Sequence, residues 1–304
     1  MRAAASEKCL TNSELPVIIV ESSDCWKPPT GSRMPELPEV ETIARKLKPQ
    51  LVGKTIQDAR LRWPRTLAFP GARKFSELVR GQVIQGVTRR AKYFILQLSD
   101  FSLLIHLRMS GDLKIKAGKI KPEKHDRLIL GLTGKDGSLS SLVFNDTRKF
   151  GRVWLTAHPE DVLGKLGPEP LSRRFTAAWL HNALHHKHRL LKPLLLDQTF
   201  LAGLGNIYVD ESLHMAKLHP LAASDSVTVQ QAQALHEAIC MVLKEGIRRN
   251  GASFDWVYRG GEYQNHFRVY DRAGKPCPVC GTGIERIIVG QRSTHYCPTC
   301  QIVS

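Results

Sequence analysis

Apolar positions near the start of the chain recur first at helical spacing and then at strand spacing. Five of them form one stripe of a predicted helix: Val40, Ile43, Ala44, Leu47 and Leu51. Gly53 follows as a typical helix stop signal. Short strand-like runs separated by turn residues come next, at 55–62, 83–87, 93–98, 103–107, 128–132, 141–145 and 152–156. Many short strands at this spacing predict a β-sandwich or a barrel over residues 34–165.

A segment dense in glycine and proline, residues 166–171, separates these strands from a helical region. Helical spacing then recurs at 175–186, 192–197, 207–216 and 229–250. We therefore predict a helical second domain over residues 170–252. Within it, a Gly-Leu-Gly-Asn turn ending at Asn206 leads into a helix. Backbone N–H groups at such a helix start can hold one DNA phosphate.

Four cysteines near the end of the chain have the spacing of a metal site. They form two Cys-x-x-Cys pairs, Cys277 with Cys280 and Cys297 with Cys300. Two such pairs complete a tetrahedral four-thiolate site for one structural zinc ion. Disulfides are the alternative, and a basic chain without a secretory signal favours zinc. We predict a zinc finger over residues 268–304.

The chain is strongly basic, with 44 Lys and Arg against 28 Asp and Glu and a formal charge of +16. This charge points to a polyanionic partner, nucleic acid first and an anionic membrane surface second. A basic protein without a specialised partner is the remaining alternative. No apolar run reaches the roughly 18 residues of a membrane-spanning helix. We therefore expect that no segment spans a bilayer, and we expect no membrane partner.

The first 33 residues carry none of this excess charge. They lack the basic start and apolar stretch of a secretory signal, and they are too acidic for a typical transit peptide. We expect an extension that results from a misassigned start codon or is a disordered tail removed later. The presence or absence of this extension decides the chemistry of Pro35. If the chain begins there, Pro35 carries a free amine, whose pKa of about 8 leaves much of it nucleophilic at neutral pH.

Residues 34–42 read Met-Pro-Glu-Leu-Pro-Glu-Val-Glu-Thr. An ordinary helix start, with proline and acidic residues in its first turn, explains this composition on its own. The nonapeptide nevertheless resembles the amino terminus of formamidopyrimidine-DNA glycosylases, and the Gly-x-Gly-Asn turn and the four cysteines follow in that family's order. The resemblance covers nearly all of residues 34–304. It implies an α+β multidomain fold with an N-terminal β-sandwich, a helical helix-two-turn-helix domain and a C-terminal β-hairpin zinc finger.

The resemblance also implies roles for individual residues. The catalytic residues are Pro35, Glu36, Lys92 and Arg292. The residues that contact DNA are Met109, His125, Arg148, Phe150, Lys192 and Asn206, of which Met109, Arg148 and Phe150 form a wedge that enters the base stack. The supporting residues are Glu39 and Glu211. Residues 253–267 close over the extruded base, and the hairpin of residues 288–296 carries Arg292 in its turn.

Several of these positions also have a purely structural explanation. A methionine more often belongs to a core, and a basic run often faces solvent. The chain also departs from the commonest family wording around the wedge, with Thr147 and Lys149.

The activity implied is that of a bifunctional DNA glycosylase and AP lyase, which excises oxidised purines from damaged double-stranded DNA in base excision repair. A related endonuclease for oxidised pyrimidines is one alternative, although Leu37 fits the purine branch better. A non-catalytic DNA-binding zinc protein is another. We expect no small-molecule cofactor, a monomer, and a location in the bacterial cytoplasm with the nucleoid.

Overall fold

A computed structural model describes residues 34–253 and 260–302. The predicted extension, residues 1–33, lies outside the described residues, as do residues 254–259 of the predicted capping loop. Helix α1 (Leu37–Leu51) opens the described chain and begins earlier than its apolar stripe predicts. Its start is fixed by a capping box in which the Glu39 side chain accepts from the backbone N–H of Glu36, at 2.8 Å.

Two antiparallel sheets follow α1. Their strands are β1 (Thr55–Leu61), β2 (Leu67–Phe69), β3 (Ile84–Arg90), β4 (Tyr93–Leu98), β5 (Ser102–His106), β6 (Gly111–Ala117), β7 (Asp126–Thr133), β8 (Leu139–Asp146) and β9 (Arg152–Thr156). One sheet has the order β1-β7-β8-β6, and the other has the order β2-β9-β5-β4-β3. Only the short β2–β9 pairing is parallel among these strands. Apolar residues of both sheets and of α1 belong to one buried cluster, so the predicted β-sandwich is confirmed.

The strand pattern located most of these elements. All seven predicted runs are strands, with ends shifted by a few residues. The pattern missed β2, which has three residues, and β6, whose apolar positions are interrupted by lysines and an aspartate. It also missed helix α2 (Ala72–Val79), which turns only Phe75 and Val79 fully into the core. Short elements with one or two buried positions leave too little periodicity to detect.

The helical region contains α3 (Glu160–Leu163), α4 (Ala177–His185), α5 (Leu191–Leu196), α6 (Asn206–Met215) and α7 (Val229–Arg248). Thr176 caps α4, and Thr228 caps α7 through a capping box with Gln231. Helices α4 and α6 both pack on α7. No helix in the described residues has the length and apolar character needed to cross a membrane.

The segment between the strands and the helices is attached to the sandwich. Arg89 donates from Nη1 to the Glu169 carboxylate at 2.8 Å, and the backbone N–H of Ala91 donates to the same oxygen. Arg90 donates to the carbonyl oxygen of Gly167 at 2.6 Å. These contacts hold the β3–β4 turn against the helical region, which fixes the position of the next residue, Lys92.

The C-terminal part forms a two-stranded antiparallel hairpin, β10 (Glu285–Val289) and β11 (Arg292–Tyr296). Gly290 and Gln291 make its turn, both with positive φ. Arg292 is the first residue of β11 and pairs with Val289. The hairpin was therefore predicted at the correct place, and Arg292 lies where the turn meets the strand.

Candidate active site and metal centre

Glu36 lies at the start of α1, and the Gly-x-Gly-Asn turn is folded directly onto its side chain. The carboxyl group is buried, and its Oε1 atom accepts a hydrogen bond from the backbone N–H of Ile207 at 3.2 Å. A Cβ atom at Gly205 would collide with this carboxyl group, so the position requires glycine. The helix-start N–H of Ile207, which we predicted to be open to a phosphate, is therefore used by Glu36. Oε2 of Glu36 has no hydrogen-bond partner among the described residues.

The pKa of Glu36 depends on the charge of Lys92, and the pKa of Lys92 depends on the charge of Glu36. Burial raises the pKa of Glu36 to about 7, against the opposing attraction of Lys92. Burial also lowers the pKa of Lys92, while Glu36 opposes that shift and the nearby Arg292 adds to it. A carboxyl group that is partly protonated near neutral pH can donate a proton, and a desolvated amine beside it can accept one. The site thus combines a potential acid with a potential base.

Glu39 connects three parts of the chain from inside the core. Its carboxylate accepts from the backbone N–H of Glu36 at 2.8 Å, from the Tyr208 hydroxyl at 2.7 Å and from the backbone N–H of Ala252 at 2.8 Å. Burial raises the pKa of Glu39, and these donors oppose the shift. Glu39 therefore fixes the chain at Glu36 to α6 and to the start of the predicted capping loop.

Lys192 does not face solvent. Its side chain is completely buried and paired with Asp210, with Nζ to Oδ1 at 2.6 Å. Nζ also donates to the Thr294 hydroxyl at 2.8 Å and to the Ser293 carbonyl at 3.0 Å, which uses its three donors. In this structure the lysine joins α5, α6 and the start of β11, and its phosphate contact stays a prediction.

Asn206 and Arg292 lie on either side of this buried pair. The Asn206 amide donates from Nδ2 to the Ser293 carbonyl at 2.9 Å, and Arg292 is exposed at the adjacent strand position. The backbone N–H of His295 donates to Oδ2 of Asp210 at 2.9 Å. Asp210 and Lys192 thus determine where the exposed guanidinium of Arg292 stands relative to Glu36 and Lys92.

The three predicted wedge residues lie on two neighbouring loops, Met109 on one and Arg148 with Phe150 on the other. Phe150 is 52% exposed, Arg148 is exposed, and Nη1 of Arg148 lies 4.0 Å from Sδ of Met109. Buried Asp146 joins the two loops. It accepts from the Ser110 hydroxyl on one side and from the backbone N–H groups of Arg148, at 3.2 Å, and Gly151, at 2.7 Å, on the other. An exposed Phe and Arg on a rigid support is an arrangement suited to insertion between bases.

His125 lies beside the same loops and is half-buried. Buried Arg127 donates from Nε to the carbonyl oxygen of Asp146 at 2.6 Å, and its Nη2 lies 3.3 Å from Nδ1 of His125. The carbonyl oxygen of His125 accepts from the backbone N–H of Asp146 at 2.9 Å. His125 therefore has a defined position next to the wedge.

Glu211 supports the segment that leads into the zinc finger. Its buried carboxylate accepts from three consecutive backbone N–H groups, those of Arg268, Val269 and Tyr270, at 2.8 to 3.0 Å. Burial raises the pKa of Glu211 to about 7, and these three N–H groups oppose the shift. Because Glu211 follows Asp210 on α6, the same helix holds both ends of the zinc finger.

The four predicted zinc ligands converge. All four Sγ atoms lie within 4.8 Å of one another; Cys277 and Cys300 are 3.9 Å apart, and Cys280 and Cys297 are 3.4 Å apart. A tetrahedron with Zn–S bonds of about 2.3 Å has sulfur–sulfur edges of about 3.8 Å, so the cluster fits zinc. The described residues contain no disulfide among these cysteines.

Three family models match consecutive parts of the chain. The formamidopyrimidine-DNA glycosylase N-terminal domain matches residues 34–153, the H2TH domain of the same glycosylase matches residues 166–256, and the zinc finger found in FPG and IleRS matches residues 274–302. The chain belongs to the formamidopyrimidine-DNA glycosylase family. The resemblance and the three-part fold are thereby confirmed, and the four cysteines form the site of one structural zinc ion.

Relatives within this family match almost over their full length. The formamidopyrimidine-DNA glycosylase of Chloroflexus aggregans is 48% identical, over 89% of this chain and 99% of the relative. That of Protochlamydia amoebophila is 44% identical, over 88% and 99%. Solved structures agree: a MutM complex with DNA containing carbocyclic 8-oxo-G has a TM-score of 0.81 and 37% identity, and Lactococcus lactis Fpg with abasic-site DNA has 0.81 and 35%. Each covers 88% of this chain and is itself covered completely.

Sequence reasoning missed the residues that position this family's site. These are the buried polar residues Arg127, Asp146 and Asp210, for which the sequence patterns predict no role. Asp210 lies four residues after Asn206, so helical spacing alone places both on one face of α6. That spacing was the available signal. Nothing comparable in the sequence connects Asp146 with Ser110.

Proposed function

We propose that this chain excises oxidised purines, 8-oxoguanine and formamidopyrimidines, from double-stranded DNA and then cuts the strand as an AP lyase. The observation that carries the proposal is Glu36: a buried carboxyl group with a pKa raised to about 7 and one unpartnered oxygen, directly after Pro35. Support comes from the relatives named glycosylases and from the solved family members bound to 8-oxo-G and abasic DNA.

In the proposed first step, the Pro35 nitrogen attacks C1′ of the damaged nucleotide. The N–C1′ bond forms as the bond from C1′ to the base breaks, and the electron pair leaves with the base. The base takes up a proton, which balances the proton that the attacking amine loses. Glu36 then protonates the ring oxygen, so that the C1′–O4′ bond breaks and an iminium forms between Pro35 and the sugar.

In the proposed second step, the iminium withdraws electrons and acidifies the C2′ proton. Loss of this proton expels the 3′ phosphate, and a further proton loss at C4′ expels the 5′ phosphate. Water then releases Pro35 by hydrolysis. Lys92, with its lowered pKa, is suited to move these protons, and Arg292 is suited to stabilise the charge of a departing phosphate.

We further propose that Met109, Arg148 and Phe150 fill the gap left by the extruded nucleotide, with Asn206 and His125 on phosphates. The excess positive charge of +16 would supply the general attraction to DNA. Zinc supplies no reaction step here, because four thiolates leave it no open position for water. It would hold the hairpin that carries Arg292. We expect the protein to work as a monomer in the bacterial cytoplasm, with the nucleoid.

The amine hypothesis is tested by varying only the start of the chain. Borohydride reduces an iminium to a stable amine, so a chain that begins at Pro35 should become covalently attached to abasic-site DNA. The full chain from residue 1, with an intact start verified by mass, should not, because its Pro35 nitrogen is an amide. Pro49→Gly in the shorter chain is the matched control, since Pro49 is exposed and remote from the start.

Peptide mapping of the trapped product should locate the DNA on Pro35. A product on Lys92, or equal trapping by the intact longer chain, would rule out Pro35 as the nucleophile. The substrate class is tested separately: cleavage should be faster with 8-oxoguanine opposite cytosine than with thymine glycol. The reverse order would assign the chain to oxidised pyrimidines instead, and Leu37 would then be no guide to the branch.

A further inference from the structure

His214 lies near the end of α6, and its ring reaches the zinc ligands. The side chain is only 2% exposed, and its Nε2 atom lies 3.3 Å from Sγ of Cys277. Its other ring nitrogen, Nδ1, has no hydrogen-bond partner among the described residues. None of the steps proposed for the reaction uses this residue, so its buried polar contact requires a separate explanation.

The contact has one chemically reasonable direction. A cysteine bound to zinc is a thiolate and can only accept a hydrogen bond, so the proton of the neutral His214 ring belongs on Nε2. The opposite tautomer would direct a nitrogen lone pair at the thiolate and would bury an N–H group at Nδ1 without an acceptor. The arrangement is therefore an N–H···S hydrogen bond from His214 to Cys277.

We propose that His214 is a positioning residue of the zinc centre that stabilises the Cys277 thiolate and slows the loss of zinc. Four thiolates around a divalent zinc ion carry a net charge of −2, and an N–H dipole directed at one sulfur offsets part of it. Cys277 also accepts from the backbone N–H of Val279 at 3.4 Å. The backbone contact is local to the Cys-x-x-Cys turn, whereas His214 brings its donor from another part of the fold.

The location of His214 on α6 gives the bond a wider effect. The helix holds the zinc finger at three successive places: Asp210 accepts from His295, Glu211 accepts from the segment before the first cysteine, and His214 donates to Cys277. His214 lies four positions after Asp210 and three after Glu211, so it is a neighbour of both on the helix surface. Zinc loss would therefore weaken one of the attachments between α6 and the zinc finger, whose hairpin carries Arg292.

The first test compares variants of the zinc-loaded full chain without DNA. His214→Phe keeps a ring but removes the donor, and His214→Gln keeps an N–H group near the position of Nε2. His219→Phe is the matched control: His219 is also buried, and its ring packs on Tyr296 at 4.8 Å. Its Nδ1 atom accepts from the backbone N–H of Leu221.

Transfer of zinc to a chromogenic chelator measures the effect. We expect His214→Phe to release zinc about 10- to 100-fold faster, the range typical for loss of such an outer hydrogen bond. His214→Gln and His219→Phe should stay close to the unmodified protein. Equal rates for His214→Phe and the unmodified chain, or equal acceleration by His219→Phe, would overturn the proposal. Because no DNA is used, this result is independent of the proposed glycosylase activity.

A second test needs no variant and therefore does not depend on folding of His214→Phe. In the cadmium-substituted protein, the Nε2 proton of His214 should show NMR scalar coupling to the metal through the hydrogen bond and the Cys277 sulfur. A packing role alone would give no such coupling. A resolved His214 ring N–H signal without coupling to cadmium would refute the hydrogen bond.

Discussion

The buried pair of Lys192 and Asp210 gives the sharpest test of this structure, because a structural role of the lysine and its predicted phosphate contact lead to different outcomes. Both side chains are 0% exposed and lie 2.6 Å apart. If Lys192 is changed to Met, the Asp210 carboxylate remains buried with the backbone N–H of His295 as a donor. An unpaired buried charge of this kind costs about 3 to 5 kcal/mol of stability. For a chain of this size, that lowers the melting temperature by on the order of 10 °C.

Replacing Asp210 as well as Lys192 should restore most of the lost stability. Replacing both members of a buried pair by apolar residues of similar volume is often neutral or stabilising, because the desolvation cost of both charges disappears. We therefore expect Lys192→Met and Asp210→Leu each to destabilise the protein. The double variant should be far more stable than the sum of the two single losses predicts. Lys187→Met is the matched control, since Lys187 is exposed, and should change stability by less than about 0.5 kcal/mol.

Urea unfolding followed by circular dichroism measures these stabilities, and the salt dependence of DNA binding distinguishes the two roles of Lys192. Loss of a phosphate contact would reduce the slope of log affinity against log salt by about 1. We expect the slope to stay unchanged, because a lysine whose three donors are used inside the protein neutralises no phosphate. If Lys192→Met keeps full stability but has the smaller slope, the buried pair is wrong and the original phosphate contact is right.

Three further predictions concern the acid, the wedge and the zinc. Glu36 is proposed to act in its protonated form, so its contribution to base excision should be present below its pKa and should be lost as pH rises through about 7. Glu36→Gln should lower excision by about 100-fold or more and abolish this decline. Asp146→Ala removes the acceptor shared by Ser110 and the Arg148 loop, so base extrusion should weaken, as read by a fluorescent base analogue opposite the lesion. Removal of zinc by a chelator should disorder the hairpin that carries Arg292, so DNA affinity should fall by at least about 10-fold and return when zinc is restored.

Each of these has an outcome that contradicts it. Strand cutting at a preformed abasic site, where the base is already absent, should depend less on Glu36. If Glu36→Gln loses the same activity on abasic-site DNA as on DNA with a damaged base, the result would argue against ring protonation. Asp136→Ala is the control for Asp146, because Asp136 bonds only within its own exposed turn. Equal extrusion by the two variants would remove Asp146 from the wedge support. Unchanged DNA affinity after complete zinc removal would show that the hairpin is dispensable.

Sequence alone predicted those features that depend on neighbours in the chain. The stripe of α1, the strands and the Cys-x-x-Cys pairs repeat at fixed local spacing, which periodicity detects. The contact of Glu36 with Ile207 spans 171 positions, and the pairing of Lys192 with Asp210 spans 18. No local spacing encodes such contacts. The burial of Lys192 was not predictable for the same reason: α5 has six residues, too few for periodicity to show which side faces the core.

The close approach of Gly205 to Glu36 makes the proposed reaction centre a joint product of the β-sandwich and the helical region. The acid comes from one, and the amide that orients it comes from the other. An isolated sandwich could retain every catalytic side chain it encodes and still lack a correctly aimed carboxyl group. Chimeric repair enzymes built by exchanging the amino-terminal region must therefore bring the first turn of α6 from the same parent, or keep a glycine where the two surfaces touch.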